Sequence, residues 1–94
     1  MIGDTIKRLR EDAGISQSSL AKKLNVTRSA VNAWEMGLSV PTTQYVVDIA
    51  RLFHVSSDYL LGLTSETTLV LDGLNEEEKR ILYSLIDYFN GKRD

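Results

Sequence analysis

The 94-residue chain has no cysteine, one histidine (His54), one proline (Pro41) and one tryptophan (Trp34). Without cysteine there are no disulfides, no thiol chemistry and no thiolate-bound zinc, a composition that suits a reducing compartment. A lone histidine does not build a metal site, so neither a metal nor a cofactor is expected. No apolar run approaches the roughly 20 residues of a membrane-spanning helix, so no membrane partner is expected. Met1-Ile2-Gly3-Asp4 does not place a basic segment ahead of an apolar one, so no export signal is expected there and the expected location is cytoplasmic. An excess of positive charge is missing as well: 11 Lys/Arg stand against 13 Asp/Glu, a net charge of −2. Residues 1–62 hold seven Lys/Arg and six Asp/Glu, whereas 63–94 hold four and seven, so the acidity lies in the last third. Any basic surface must therefore come from geometry rather than composition.

What is present is a regular set of helix signals. Ser16, Thr27, Thr42 and Ser56 each stand where a short side-chain oxygen can accept from an unpaired N–H of a following helical turn. Three carry a second signal. Ile15 with Leu20, Val26 with Val31, and Val55 with Leu60 have the spacing of hydrophobic staples, which set the angle at which the chain enters a helix. The helices predicted are 4–13 ended by Gly14, 17–24 ended by Asn25, 28–36 ended by Gly37, 43–53, and 57–61 ended by Gly62. Ile6 and Leu9, Leu20, Ala21 and Leu24, Val31 and Trp34, Val46, Ile49, Ala50 and Phe53, and Leu60 and Leu61 recur at helical spacing and predict one shared core.

Residues 63–94 differ in kind. Thr67-Thr68-Leu69-Val70-Leu71 is β-prone and predicts a short strand. Asn75 then caps a helix over 76–90, with Glu76, Glu77 and Glu78 at the positive end of its dipole and Gly91 at its stop. Between Ile81 and Phe89 only Ser84 and Asp87 are polar, an apolar belt broad enough to leave an exposed patch unless a second copy or the five-helix core covers it. The expected cover is the same helix of a second copy, with strand 67–71 pairing across the two-fold axis. The expected interface is Leu69, Leu71, Ile81, Leu82, Leu85, Ile86, Tyr88 and Phe89. The division that follows is a first domain over 1–62 and a dimerisation extension over 63–94.

Helices 17–24 and 28–36, joined by Asn25-Val26-Thr27, form a helix-turn-helix arrangement. On the second helix Val31 and Trp34 point one way, while Arg28, Ser29, Asn32, Ala33 and Met36 spread over the opposite side. Those types suit reading base edges in double-stranded DNA. Arginine can donate twice to guanine, asparagine pairs with adenine, serine serves either, and alanine touches a thymine methyl. Arg28, Ser29, Asn32 and Ala33 are the expected base contacts. Nothing in the chain assembles a nucleophile, a base and an oxyanion site, so no enzyme is expected.

The stretch Ile6 to Leu61 resembles the Cro and phage-repressor family of helix-turn-helix regulators, also called the xenobiotic-response-element family. The resemblance rests on Ile6, Leu9-Arg10, Ser16-Gln17, Leu20-Ala21, Leu24, Val26-Thr27, Val31, Trp34-Glu35, Gly37, Pro41-Thr42, Ile49-Ala50, Phe53, Val55-Ser56 and Asp58-Tyr59-Leu60-Leu61. It implies an all-α fold of five helices, here followed by a short β-strand and a C-terminal helix. It also implies helix 28–36 in the major groove and a homodimer on a near-palindromic operator, expected to act as a repressor. Gln17 matches a residue that in relatives binds phosphate and braces the first recognition residue, here Arg28. Arg10 and Glu35 match an internal ion pair.

The sequence departs from the family after the recognition helix. Relatives commonly place Lys or Arg there, whereas this chain reads Met36-Gly37-Leu38-Ser39-Val40-Pro41-Thr42-Thr43. Phosphate contacts are therefore expected from Gln17, Thr27, Ser39, Thr43 and the N–H groups at helix starts, with Lys7, Arg8, Lys22 and Lys23 as further candidates. The same departure, with the near-neutral charge, leaves open an alternative: a protein-interaction module, such as an antitoxin or bridging coactivator, that keeps the fold and uses another surface.

Overall fold

The computed structural model describes residues 1–66 and 69–93. Six α-helices follow one another: α1 (Ile2–Asp12), α2 (Gln17–Leu24), α3 (Arg28–Glu35), α4 (Thr43–Phe53), α5 (Ser57–Leu60) and α6 (Glu76–Arg93). The first five enclose the core. Ile6, Leu20, Val31, Ile49 and Leu60 are fully buried, surrounded by Ala21, Leu24, Trp34, Val46 and Ala50.

One device closes each of these five helices. The residue after the last turn takes a positive φ, at Gly14, Asn25, Gly37, His54 and Gly62. The next N–H then reaches back to a carbonyl of the last turn, from Ile15 to Arg10, Val26 to Ala21, Leu38 to Ala33, Val55 to Ala50 and Leu63 to Asp58, over 2.8–3.2 Å. This satisfies carbonyls that a helix end otherwise leaves unpaired. Ile15, Val26 and Val55 turn inward to the core and also precede the next cap, so one side chain closes one helix and aims the next. Ser16, Thr27 and Ser56 accept from the N–H groups of Ser19, Ala30 and Tyr59 at 3.0–3.1 Å. Thr42 stands at the start of α4 but makes no such side-chain bond, and Pro41 before it is buried.

Gly3 decides how α1 meets α3. A Cβ at this position would collide with the carbonyl oxygen of Trp34 and lie 3.2 Å from that of Glu35. The first turn of α1 therefore packs directly on the C-terminal backbone of α3, and α1 begins at Ile2 rather than at residue 4.

The expected strand over 67–71 is overturned: the described residues contain helices and no strand, and Thr67 and Thr68 lie outside them. Val70 instead folds back on the end of α4. Its N–H donates to the His54 carbonyl at 2.8 Å and its carbonyl meets His54 Nδ1 at 3.1 Å. An unpaired helix-end carbonyl and an imidazole thus satisfy backbone groups that were expected to pair across a two-fold axis. The helix after Asn75 also runs further than expected, through Gly91 to Arg93. It opens with a reciprocal capping box, Asn75 N–H to Glu78 Oε1 at 2.9 Å and Glu78 N–H to Asn75 Oδ1 at 2.8 Å. The molecule measures 45 × 25 × 21 Å. On α6, Ile81, Tyr83, Leu85, Ile86, Tyr88 and Phe89 are exposed and Leu82 is half-buried.

Candidate nucleic-acid interface

The junction of α2 and α3 begins with Asn25, which takes φ 58° and ends α2 in a left-handed turn. Val26 then enters the core and Thr27 caps α3. Val31 and Trp34 fasten α3 inward, and the Trp34 ring meets Tyr45 of α4 with centroids 5.5 Å apart. What α3 turns outward is Arg28, Ser29 and Asn32, all exposed, with Ala33 half-buried beside them.

Glu35 is the only acid on this helix, and it faces in. Its side chain is 2% exposed and takes two bonds from Arg10, Nε to Oε2 at 2.7 Å and Nη2 to Oε1 at 3.0 Å. The remaining Arg10 nitrogen, Nη1, donates to the Ile15 carbonyl at 2.9 Å, so the guanidinium joins α1, the α1–α2 turn and α3. Gln17 Nε2 donates to Glu35 Oε1 at 3.1 Å and to Asn32 Oδ1 at 3.2 Å. Burial pushes the Glu35 carboxyl up, but the hydrogen bonds from Arg10 and Gln17 and the charges of Arg10 and Lys7 outweigh it and hold the group below its ordinary value. The hydrogen bond to Glu35 in turn raises Arg10, against the opposing effect of burial. The outward face of α3 thus carries a cation and no anion.

The other candidate residues fall around this face. Gln17 spends its amide on Asn32 and Glu35, with no bond to Arg28 among the described residues. Thr27, Ser39 and Thr43 are exposed, the Thr27 hydroxyl oxygen already accepting from Ala30. Arg8 donates to the Tyr59 hydroxyl with its guanidinium 5.8 Å from the ring centre, while Lys7, Lys22 and Lys23 are exposed. Two features were missed by reasoning from the sequence. The Gln17–Asn32 contact depends on how α2 crosses α3, for which the sequence holds no local signal. Gly3 precedes the helix expected from residue 4, although a glycine beside apolar Ile2 and Ile6 is a recognisable mark of close packing. Among the described residues no group of three or more His, Asp or Glu could hold a metal ion, and no helix is long and apolar enough to cross a membrane.

Residues 6–60, which contain α2, α3 and the Arg10–Glu35 pair, match the helix-turn-helix family. The chain is 32% identical over 80 residues to the transcriptional regulator ImmR of Bacillus subtilis, covering 80% of this chain and 63% of ImmR. In structure it is similar to the P22 c2 repressor bound to a synthetic operator, with 27% identity, a TM-score of 0.61, and coverage of 64% of this chain and 91% of that one. It is also similar to the N-terminal DNA-binding domain of SinR from Bacillus subtilis, with 35% identity, a TM-score of 0.60, and coverage of 65% and 90%. The chain spans between 63% and 67% of the length of the first curated relatives it matches. With a capped helix pair, an inward-facing acid and a matched stretch of this extent, the chain belongs to the Cro and phage-repressor family of helix-turn-helix transcriptional regulators.

Proposed function

We propose that this protein is a sequence-specific DNA-binding regulator, acting in the cytoplasm as a homodimer that represses transcription by occupying a near-palindromic operator. The observation that carries this is the outward face of α3: Arg28, Ser29 and Asn32 exposed on a helix whose single acid is buried and paired. Such a face can approach the negative, hydrogen-bonding floor of the major groove without opposing charge. Arg28 suits guanine, Ser29 either purine, and Ala33 a thymine methyl, with Asn32 as the amide-bearing contact. Thr27, Ser39 and Thr43 supply phosphate contacts. Since the Gln17 amide protons are engaged, its backbone N–H at the start of α2 is the group available to a phosphate. Residues 1–62 form the reading unit, and 63–94 hold the second copy through Ile81, Leu82, Leu85, Ile86, Tyr88 and Phe89, with Leu69 and Leu71 alongside. Relatives bear on this: the P22 repressor is known with an operator, and ImmR is named a transcriptional regulator.

Selection of bound sequences from random duplexes tests the proposal. Enrichment of a near-palindrome is expected, and Arg28→Ala should abolish the enrichment at one position of each half-site. No enrichment would overturn sequence-specific binding and turn attention to a protein partner.

A further inference from the structure

Resting on the DNA-reading function above, we propose that the buried Arg10–Glu35 pair sets the polarity of the Asn32 amide through Gln17, and so determines which base edge Asn32 accepts. The chemistry of the donors and acceptors runs in one direction. A guanidinium has only protons to give, and the Glu35 carboxylate that takes two bonds from it has only lone pairs. The Gln17 atom 3.1 Å from Glu35 Oε1 must therefore be the amide nitrogen, because two oxygens at that distance without a proton would repel. The same nitrogen has one more proton, and it lies 3.2 Å from Asn32, which must answer with its oxygen. The nitrogen of Asn32 is left as the outward group.

An isolated asparagine on a helix surface has no such preference, since its two ends are nearly alike in shape and either can face out. Here Arg10, Glu35 and Gln17 in turn remove the choice, and the first two form a largely buried ion pair. Glu35 and Gln17 are thus positioning residues, and Asn32 alone touches the base. The outward amide offers two donors, while its oxygen has one lone pair already committed to Gln17. A donor pair suits an edge made of acceptors, guanine O6 and N7 above all, rather than the mixed donor and acceptor edge of adenine that a free asparagine reads.

The test is selection from random duplexes with the full chain and three variants whose folding is checked by melting. The wild type should enrich guanine at the position that Asn32→Ala randomises. Gln17→Met keeps the length and apolar stem of the side chain but has no proton to donate. It should lower the guanine preference at that one position by about 5-fold or more, within the range that single base contacts discriminate, and leave the Arg28 position unchanged. Asn32→Asp still accepts from Gln17 but turns an acceptor outward, so the preference should move to cytosine, whose N4 donates. A wild-type consensus whose Asn32 position is unaltered by Gln17→Met, or is adenine, overturns the relay while leaving DNA reading intact. No wild-type consensus at all overturns DNA reading, and the role of the relay with it.

Discussion

At the scale of single residues, the decisive group is Glu35, an acid on α3, the helix proposed to face DNA. Paired with Arg10 it is harmless to the phosphates and fixes α1 against α3; unpaired it would be a buried charge. Arg10→Ala should therefore destabilise the fold by about 3–5 kcal/mol, measured by urea denaturation. Arg10→Met together with Glu35→Leu should recover most of that loss, because the desolvation of both charges is then avoided. An Arg10→Ala protein as stable as the wild type would show that the pair adds nothing. The carboxyl also has an acid signature. Its value in the folded chain is depressed from the ordinary 4.5, so in the interval between the two values the unfolded chain binds more protons. The stability it contributes is present above about pH 4.5 and is lost as pH falls through the depressed folded value. Melting temperature should thus fall on acidification more steeply in the wild type than in Glu35→Gln. Gly3 is the second such residue: Gly3→Ala forces α1 away from the Trp34 carbonyl and should cost about 1–3 kcal/mol, as overpacking does, read in the same denaturation assay.

At the scale of elements, what was legible in the sequence is what local chemistry settles. Ser16, Thr27 and Ser56 announce helix starts because a capping oxygen needs only the next three residues, and Gly14, Asn25, Gly37 and Gly62 announce ends because a left-handed turn is a property of one residue. The strand over 67–71 failed for the opposite reason. Thr and Val favour extended backbone, but a strand needs a partner, and Val70 found His54, sixteen residues back on another element. The Gln17–Asn32 contact was hidden in the same way, since it exists only where α2 and α3 cross. The loop between α3 and α4 was readable, and it bears on affinity. Leu38 and Val40 are 77% and 73% exposed and residues 36–43 hold no Lys or Arg, so this loop brings no cation to a phosphate. Each phosphate neutralised by a cation contributes about −0.9 to the slope of log affinity against log salt, so contacts made by hydroxyl and N–H groups should leave the slope well short of about −10. A titration of operator binding between low and physiological salt checks this. A slope near −10 would mean that Lys7, Lys22 and Lys23 engage the backbone after all.

At the scale of the whole molecule, a loop without cations would shift the burden of affinity onto association. A net charge of −2 provides little steering toward DNA, and one α3 reads only a few base pairs. Two copies held with their recognition helices about 34 Å apart would reach successive major-groove faces, and linking two weak sites raises affinity by about 10²–10⁴-fold without a new contact. The apolar side of α6 is the surface proposed to hold them. Ile86 and Leu85 are 44% and 48% exposed, so a charge at either is tolerated by a single chain but not at the centre of a shared interface. Ile86→Glu should therefore sediment as a monomer at micromolar concentration where the wild type sediments as a dimer, and should bind the operator at least about 100-fold more weakly. Its melting should change little once the contribution of association is removed by dilution, because the buried core is drawn from α1 to α5. A wild type that sediments as a monomer at that concentration would rule out α6 as the dimer contact. The two recognition helices would then meet only on the DNA, and cooperative binding to adjacent half-sites would have to come from α1 to α5.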